Sequence, residues 1–306
     1  NLIRAGHAPP NPLLLRLADR MGFAIWEEIP LYHYSPLTYG IAMRRGIPQQ
    51  MLAEMALRDM NHASVLFHGL SNESTGAAER RAALQELHDI DREIDGTRLT
   101  GQAAYGSQPA DTTQEPLDVA GYTFYYGVFY GADAADGTAR ALEQARAAFP
   151  DKPILALEFG RWTDDQQALR QERIFRETFP AFARRSALVG GSVGAMVWWT
   201  LEDFTTMSPN IALERFGLFR PDGTRRPAAV AAADLFAADA GEGAAQEIES
   251  DARQIRASVS VSGPDLRLLG LLAYGLLTSL GTMSVILLLL VRSGGRARHG
   301  RPRAAP

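Results

Sequence analysis

Cysteine is absent from the 306 residues, which excludes disulfides, thiol catalysis and thiolate metal sites without fixing a compartment. Positive charge is in no surplus either. With 31 Lys and Arg against 35 Asp and Glu, the formal net charge is -4, so the chain as a whole lacks the electrostatic footprint of a nucleic-acid binder. The six His are scattered at spacings that gather no metal ligands, and no glycine-rich phosphate loop occurs where a cofactor would need one. Neither metal nor cofactor is expected. No internal repeat is evident. The chain opens on Asn1, with no initiator Met and no signal-like segment, so an upstream portion of the protein is expected.

What is present suits a folded domain, since 46% hydrophobic and 22% charged residues can build one large core or two smaller ones. Near the C-terminus, Leu268 to Val291 is a run of 24 residues without a charged side chain. As a helix rising about 1.5 Å per residue it reaches roughly 36 Å, enough to cross a hydrocarbon core of about 30 Å. Arg267 precedes it, and Arg292, Arg296, Arg298, Arg301 and Arg303 follow. The positive-inside rule then places the short tail in the cytoplasm and the preceding domain outside. The expected organisation is a folded domain over 1–236, an Ala/Gly/acidic linker over 237–265, a single membrane-spanning helix over 266–292 and a basic tail over 293–306.

Within 1–236, short apolar strand candidates alternate with helical segments. The strands are Asn1–Ala5, Gly22–Glu28, Ser64–Asn72, Arg98–Ala104, Asp118–Tyr126, Pro153–Phe159 and Gly194–Thr200. The helices are Pro12–Met21, Gln49–Met60, Ala77–Ile94, Gly137–Ala148, Gln166–Phe182 and, last, Arg226–Phe236. Alternation at this spacing means a parallel sheet, either doubly wound or closed into a (β/α)₈ barrel. Seven strands fit an α/β TIM barrel lacking its first strand. In such a barrel the site lies at the C-terminal strand ends. The third strand runs into Asn72-Glu73, and the sixth ends on Glu158. Two glutamates at different strand mouths could face one another, the arrangement a retaining glycosidase needs, with carboxyl groups about 5 to 5.5 Å apart. Glu27-Glu28 and Asp164-Asp165 are expected on solvated loops or helix starts.

Seven segments, in order, resemble glycoside hydrolase family 2, the group of β-galactosidases, β-glucuronidases and β-mannosidases. They are "NLIRAGHAPP", "LADRMGFAIWEEIP", "LRDMNHASVLFHGLSNES", "LDVAGYTFYYG", "KPILALEFG", "VWWTLEDF" and "FGLFRPDGTRRPAA". The resemblance covers about residues 1–236 and implies a carbohydrate substrate. It makes Glu73 the acid/base and Glu158 the nucleophile of a retaining exo-β-glycosidase, closest in kind to the β-galactosidases. Asn72 would meet the sugar 2-hydroxyl, Tyr125 or Tyr126 would steady the nucleophile, and Trp199 would floor the sugar. Arg4 and His7 would brace the carboxylate pair and touch substrate, or serve as buried structure.

Departures bear on specificity. Ala8 stands for the family's Tyr, His68 for a Trp, Thr123 for an Asn, Val128 for a Trp and Thr200 for an Asn, at positions several of which line the sugar pocket in relatives. The Asn-x-Lys that grips a glucuronide carboxylate has no match near Asn210, with Arg215 the nearest cation, so the resemblance does not extend to glucuronide recognition. Two other readings use the same residues: a membrane-anchored carbohydrate-binding pseudoenzyme, and a transglycosylase.

Overall fold

Seven apolar runs form seven parallel strands: β1 (Leu2–Ala5), β2 (Ala24–Glu28), β3 (Val65–Asn72), β4 (Leu99–Tyr105), β5 (Ala120–Thr123), β6 (Ile154–Phe159) and β7 (Val193–Trp198). The computed structural model describes residues 1–164, 166–206 and 212–238. Between the strands lie α1 (Pro12–Met21), α2 (Pro36–Arg44), α3 (Ile47–Asp59), α4 (Ala77–Ile94), α5 (Ala134–Ala148) and α6 (Ala168–Ala183), and a further helix covers 227–238. The strands are hydrogen-bonded in chain order. The end strands β1 and β7 bring Cα atoms within 8 Å of each other without pairing. The result is a nearly closed seven-stranded parallel α/β barrel, consistent with a TIM barrel.

Local signals fix the helices. Asn11 caps α1 by accepting the Leu13 N–H, Pro12 opens it with φ already set, and Gly22 closes it in the left-handed conformation. Asp133 caps α5 in the same way, which starts that helix three residues before the expected Gly137. The short α2 was not foreseen; Ser35 caps it and Pro36 starts it, while its apolar residues follow no clear helical stripe.

Side chains fill the barrel, and one residue dominates the filling. Trp26 is fully buried and packs with Phe67, Ala103, Val119, Leu155 and Leu157. Its ring needs glycine on the facing strands. A Cβ on Gly69 would lie 2.5 Å from Trp26 Nε1, and one on Gly101 2.6 Å from Cη2. The ring also carries a polar handle, since Nε1 donates to Glu28 Oε2 at 2.8 Å. Outside the barrel, α5 and α6 cover β5 to β7 with a cluster rich in Phe, and α2 to α4 cover Leu31 and Leu70.

The expected linker, membrane-spanning helix at 266–292 and basic tail lie outside the described residues, apart from residues 237 and 238 in the last helix. Among the described residues, no helix is long and apolar enough to cross a membrane.

Candidate active site

Strand alternation alone would not bring the carboxylates to the mouth. Along β6, Leu155 and Leu157 face the barrel interior, while Ala156 and Phe159 face the helices. Strict alternation would turn Glu158 outward. Register irregularities fall between Ala156 and Phe159 against β7, and between Tyr122 and Thr123 against β5. Such irregularities re-aim side chains. Glu158 is thereby turned toward Arg4. On β3, Leu70 joins the helix-facing cluster and Ser71 bonds Tyr39 of α2 at 2.7 Å, so two successive residues face outward. An irregularity between Gly69 and Asn72 restores Asn72 to the interior.

Arg4 on β1, 2% exposed, joins the strand ends. Its Nη1 donates to Glu158 Oε1 at 2.5 Å, and its Nη2 donates to Asn72 Oδ1 at 2.7 Å and to Glu28 Oε2 at 3.1 Å. Because an arginine only donates, the Asn72 oxygen must face it, which turns the Asn72 amide nitrogen away from Arg4. Burial works against the Arg4 charge, but the Glu28 and Glu158 carboxylates outweigh it and hold its pKa above the ordinary value. For Glu28, burial likewise favours the neutral form, and Arg4, His7 and Trp26 together push its pKa below the usual carboxylate range.

The two glutamates sit in opposite environments. Glu158, on strand β6, receives Arg4 on one oxygen and the Tyr125 hydroxyl on the other, at 2.8 Å. Burial and the two glutamates keep Tyr125 protonated, its pKa raised well above that of a free tyrosine, so it remains a donor. Glu73, one residue past β3, accepts the Thr123 hydroxyl on Oε1 at 2.7 Å, and its Oε2 lies 3.2 Å from His33 Nε2. Among the described residues, no arginine or lysine pairs with it as Arg4 does with Glu158. Burial first, then the charge of Glu158, raises its pKa above the usual range.

His7 lies between two rings, stacked on Tyr32 at 5.3 Å and on Trp199 at 4.9 Å, with Nδ1 2.7 Å from Glu28 Oε1. One face of Trp199 is therefore taken. Arg4, His7, Asn72, Glu73, Tyr125, Glu158 and Trp199 thus converge. Tyr126 does not. Its hydroxyl donates to the Gly106 carbonyl at 3.1 Å, and its ring packs on Gly137 of α5, so of the two tyrosines Tyr125 alone reaches Glu158.

One expectation needs correction. Glu27 and Glu28 are not solvated: they are 0% and 1% exposed, because the last turn of β2 is enclosed by the barrel on one side and by helices on the other. Asp164 is half-buried and accepts the Gln167 N–H, and Asp165 lies outside the described residues. His68 lines neither the sugar pocket nor the barrel interior. It faces the helices, its Nδ1 2.6 Å from Asp91 of α4 and its Nε2 3.4 Å from Glu27. Of the specificity positions, Asn210 lies outside the described residues, and Arg215 is exposed.

Glu28, Tyr32 and His33 join the site without having been proposed for it, and Thr123, singled out only as a departure from the family's Asn, joins it through Glu73. Glu28 was findable by the question that located Glu73 and Glu158, namely what each strand ends on. His33 carried no signal beyond its place after that strand.

A parallel α/β barrel with paired glutamates at its C-terminal strand ends, one held by arginine and tyrosine, defines the class of two-carboxylate barrel proteins. Residues 1–237 match the family described as glycosyl hydrolases family 2, TIM barrel domain, and the chain belongs to that family. It is 29% identical over 182 residues to a β-glucuronidase of Streptococcus agalactiae, covering 52% of this chain and 30% of that protein. It is 34% identical over 106 residues to a β-galactosidase of Thermoanaerobacterium thermosulfurigenes, covering 34% of this chain and 14% of that one. In fold it is similar to a β-glucuronidase from Ruminococcus gnavus in complex with D-glucaro 1,5-lactone. That likeness has a TM-score of 0.69 at 21% identity and covers 78% of this chain and 43% of that one. The chain thus spans less than half the length of these relatives.

Proposed function

We propose that the protein is a retaining exo-β-glycosidase acting on terminal β-linked sugars. The observation that carries this reading is the opposed setting of the two glutamates. Glu158, with donors on both oxygens, is aimed as the nucleophile. Glu73, whose proton is held by burial and a neighbouring anion, is set as the acid.

In the first displacement a Glu158 oxygen bonds to the anomeric carbon as the bond to the aglycone oxygen breaks, and the Glu73 proton moves to that oxygen. In the second, Glu73 takes a proton from water, the water oxygen bonds to the anomeric carbon, and Glu158 is released. The Asn72 amide nitrogen would donate to the 2-hydroxyl, a contact that strengthens at the transition state. Arg4 keeps Glu158 in place throughout.

A β-galactoside is the first substrate to test. A β-uronide is the second, favoured by the β-glucuronidase relatives and by the fold likeness to a β-galacturonidase from Eisenbergiella tayi bound to galacturonate, with a TM-score of 0.67 and 19% identity. In the complete gene product, Glu158→Gln and Glu73→Gln are each expected to lower turnover of unactivated β-glycosides by at least about 10²-fold, the lower bound for a lost acid/base. A 2-fluoro sugar should label Glu158, and the first product seen by NMR should be the β-anomer. Full activity in either variant, or an α-anomer, overturns the proposal. Transfer to added acceptor sugars in place of hydrolysis would make the protein a transglycosylase, and binding without turnover a pseudoenzyme.

We infer further that the domain is held on the outer face of a membrane. The uncharged run Leu268–Val291 and the arginines that follow it support this from sequence.

A further inference from the structure

Among the described residues, two besides glycine have positive φ: His33 at 55° and Glu73 at 41°. These two strained residues belong to loops after neighbouring strands, and their side chains meet at 3.2 Å. Such backbone is rarely adopted by L-residues and gathers at functional sites. The surrounding hydrogen bonds hold it in place. The His33 N–H donates to the Asn72 carbonyl, the Asn72 N–H to Leu31, the Tyr34 N–H to Ser74 Oγ and the Thr75 N–H to Tyr34. Tyr32 and Asn72 also form a parallel bridge. The loop after β2 is thus closed onto the residues that carry the acid/base.

A purely structural role for position 33 would be filled better by glycine, which adopts positive φ without strain. The imidazole does little packing there, since the side chain is 54% exposed and touches the Tyr32 ring at 4.5 Å. Its polar contact is Glu73 Oε2, while Thr123 holds Oε1. The oxygen on the open side of the site is therefore the one beside His33.

We propose that His33 is a positioning residue for the acid/base, fixing the Glu73 carboxyl so that Oε2 is presented to the departing oxygen. The proposal rests on the glycosidase reading for its catalytic consequence, but not for its effect on Glu73 itself. The other titratable groups facing Glu73 are Glu158 and the hydroxyls of Tyr105, Tyr125 and Tyr130, and burial raises all three tyrosines above their ordinary range. A donor at His33 stabilises the ionised carboxylate. Its removal therefore moves the Glu73 titration upward.

The test uses the complete protein with His33→Ala, His33→Gly and His33→Gln. Glycine relieves the backbone and should fold at least as well as wild type; glutamine keeps a donor near the place of Nε2. Hydrolysis of an alkyl β-glycoside, which needs full protonation of its leaving group, should fall about tenfold in kcat/KM for the alanine and glycine variants, a part of the roughly 10²- to 10⁴-fold a general acid supplies. A dinitrophenyl glycoside, which needs little protonation, should lose no more than about twofold, and glutamine should restore most of the alkyl rate. Equal losses on both substrates, or no loss on either, overturn the role. Independently of turnover, a carbon-13 titration of the Glu73 carboxyl should show a higher midpoint in the alanine and glycine variants. An unmoved midpoint overturns the proposal, whereas a moved one in a protein that cleaves no glycoside leaves the His33 contact standing and defeats the glycosidase reading.

Discussion

At the scale of single residues, the site is an unequal sharing of donors between two carboxylates. Tyr125 shows what one donor contributes. Its hydroxyl is buried and bonded to Glu158 Oε2 at 2.8 Å, so Tyr125→Phe removes a hydrogen bond to a charged acceptor without changing the packing of the ring. Such bonds are worth about 1.5–3 kcal/mol. The expected outcome is a roughly 10- to 150-fold fall in kcat/KM on an aryl glycoside, together with a lower urea midpoint, since the same buried bond also contributes to the fold. A fall in the midpoint with full activity per folded molecule would show that Tyr125 serves the fold and not the nucleophile. Of this site, Glu73, Glu158, Asn72 and Arg4 were legible in the sequence, because each lies at or near the end of an apolar run. Tyr32 and His33 were not, and Thr123 stood out only as a departure from the family's Asn. Their part depends on a broken register between β5 and β6, or on how the loop after β2 closes onto β3, and residue spacing encodes neither.

At the scale of elements, the seven strands were legible because parallel strands buried on both faces read as continuous apolar runs. Which face each polar residue takes was less so, as His68 shows. It tethers β3 to β2 and α4 through Glu27 and Asp91, and Asp59 of α3 also faces Glu27. Burial lowers the affinity of His68 for its proton, but the carboxylates of Asp91 and Glu27 more than offset this and bring its pKa up to about 9. Burial, with Asp59 adding to it, raises Glu27 to about 7 despite the pull of His68. Both groups bind a proton more tightly folded than unfolded. The His68 contribution is therefore complete below its unfolded value of about 6.5 and is lost as pH rises through 9, and Glu27 adds a decline between about 4.5 and 7. The urea midpoint should fall from pH 6.5 to 9 in the wild type. His68→Leu leaves buried carboxylates unpaired and should cost about 3–5 kcal/mol at pH 6, with a shallower decline above that. Parallel pH curves for the two proteins would rule out the histidine as the source.

At the scale of the whole molecule, the barrel and the C-terminal run make separate demands on the same chain. The barrel packs around Trp26 and buries its charged cluster beneath the strand ends. The proposed anchor has to do one thing, which is to hold that barrel at a lipid surface with its site facing outward. The arginines after Val291 are what would set the direction, since each resists transfer across the membrane. This gives two separable outcomes for the complete gene product. Ending the chain before Leu268 should release the protein from washed membranes into the soluble fraction while leaving its activity on an aryl glycoside within about twofold, because the residues placed in the site among the described residues all precede Leu268. Replacing Arg292, Arg296, Arg298, Arg301 and Arg303 with glutamine should leave the protein in the membrane but reduce the fraction whose barrel is open to external protease, because the signal for orientation is the local Lys and Arg bias. Retention of the shortened chain in carbonate-washed membranes would place the attachment elsewhere. Unchanged protease exposure after loss of the five arginines would mean that the barrel's orientation is fixed before the final helix is inserted.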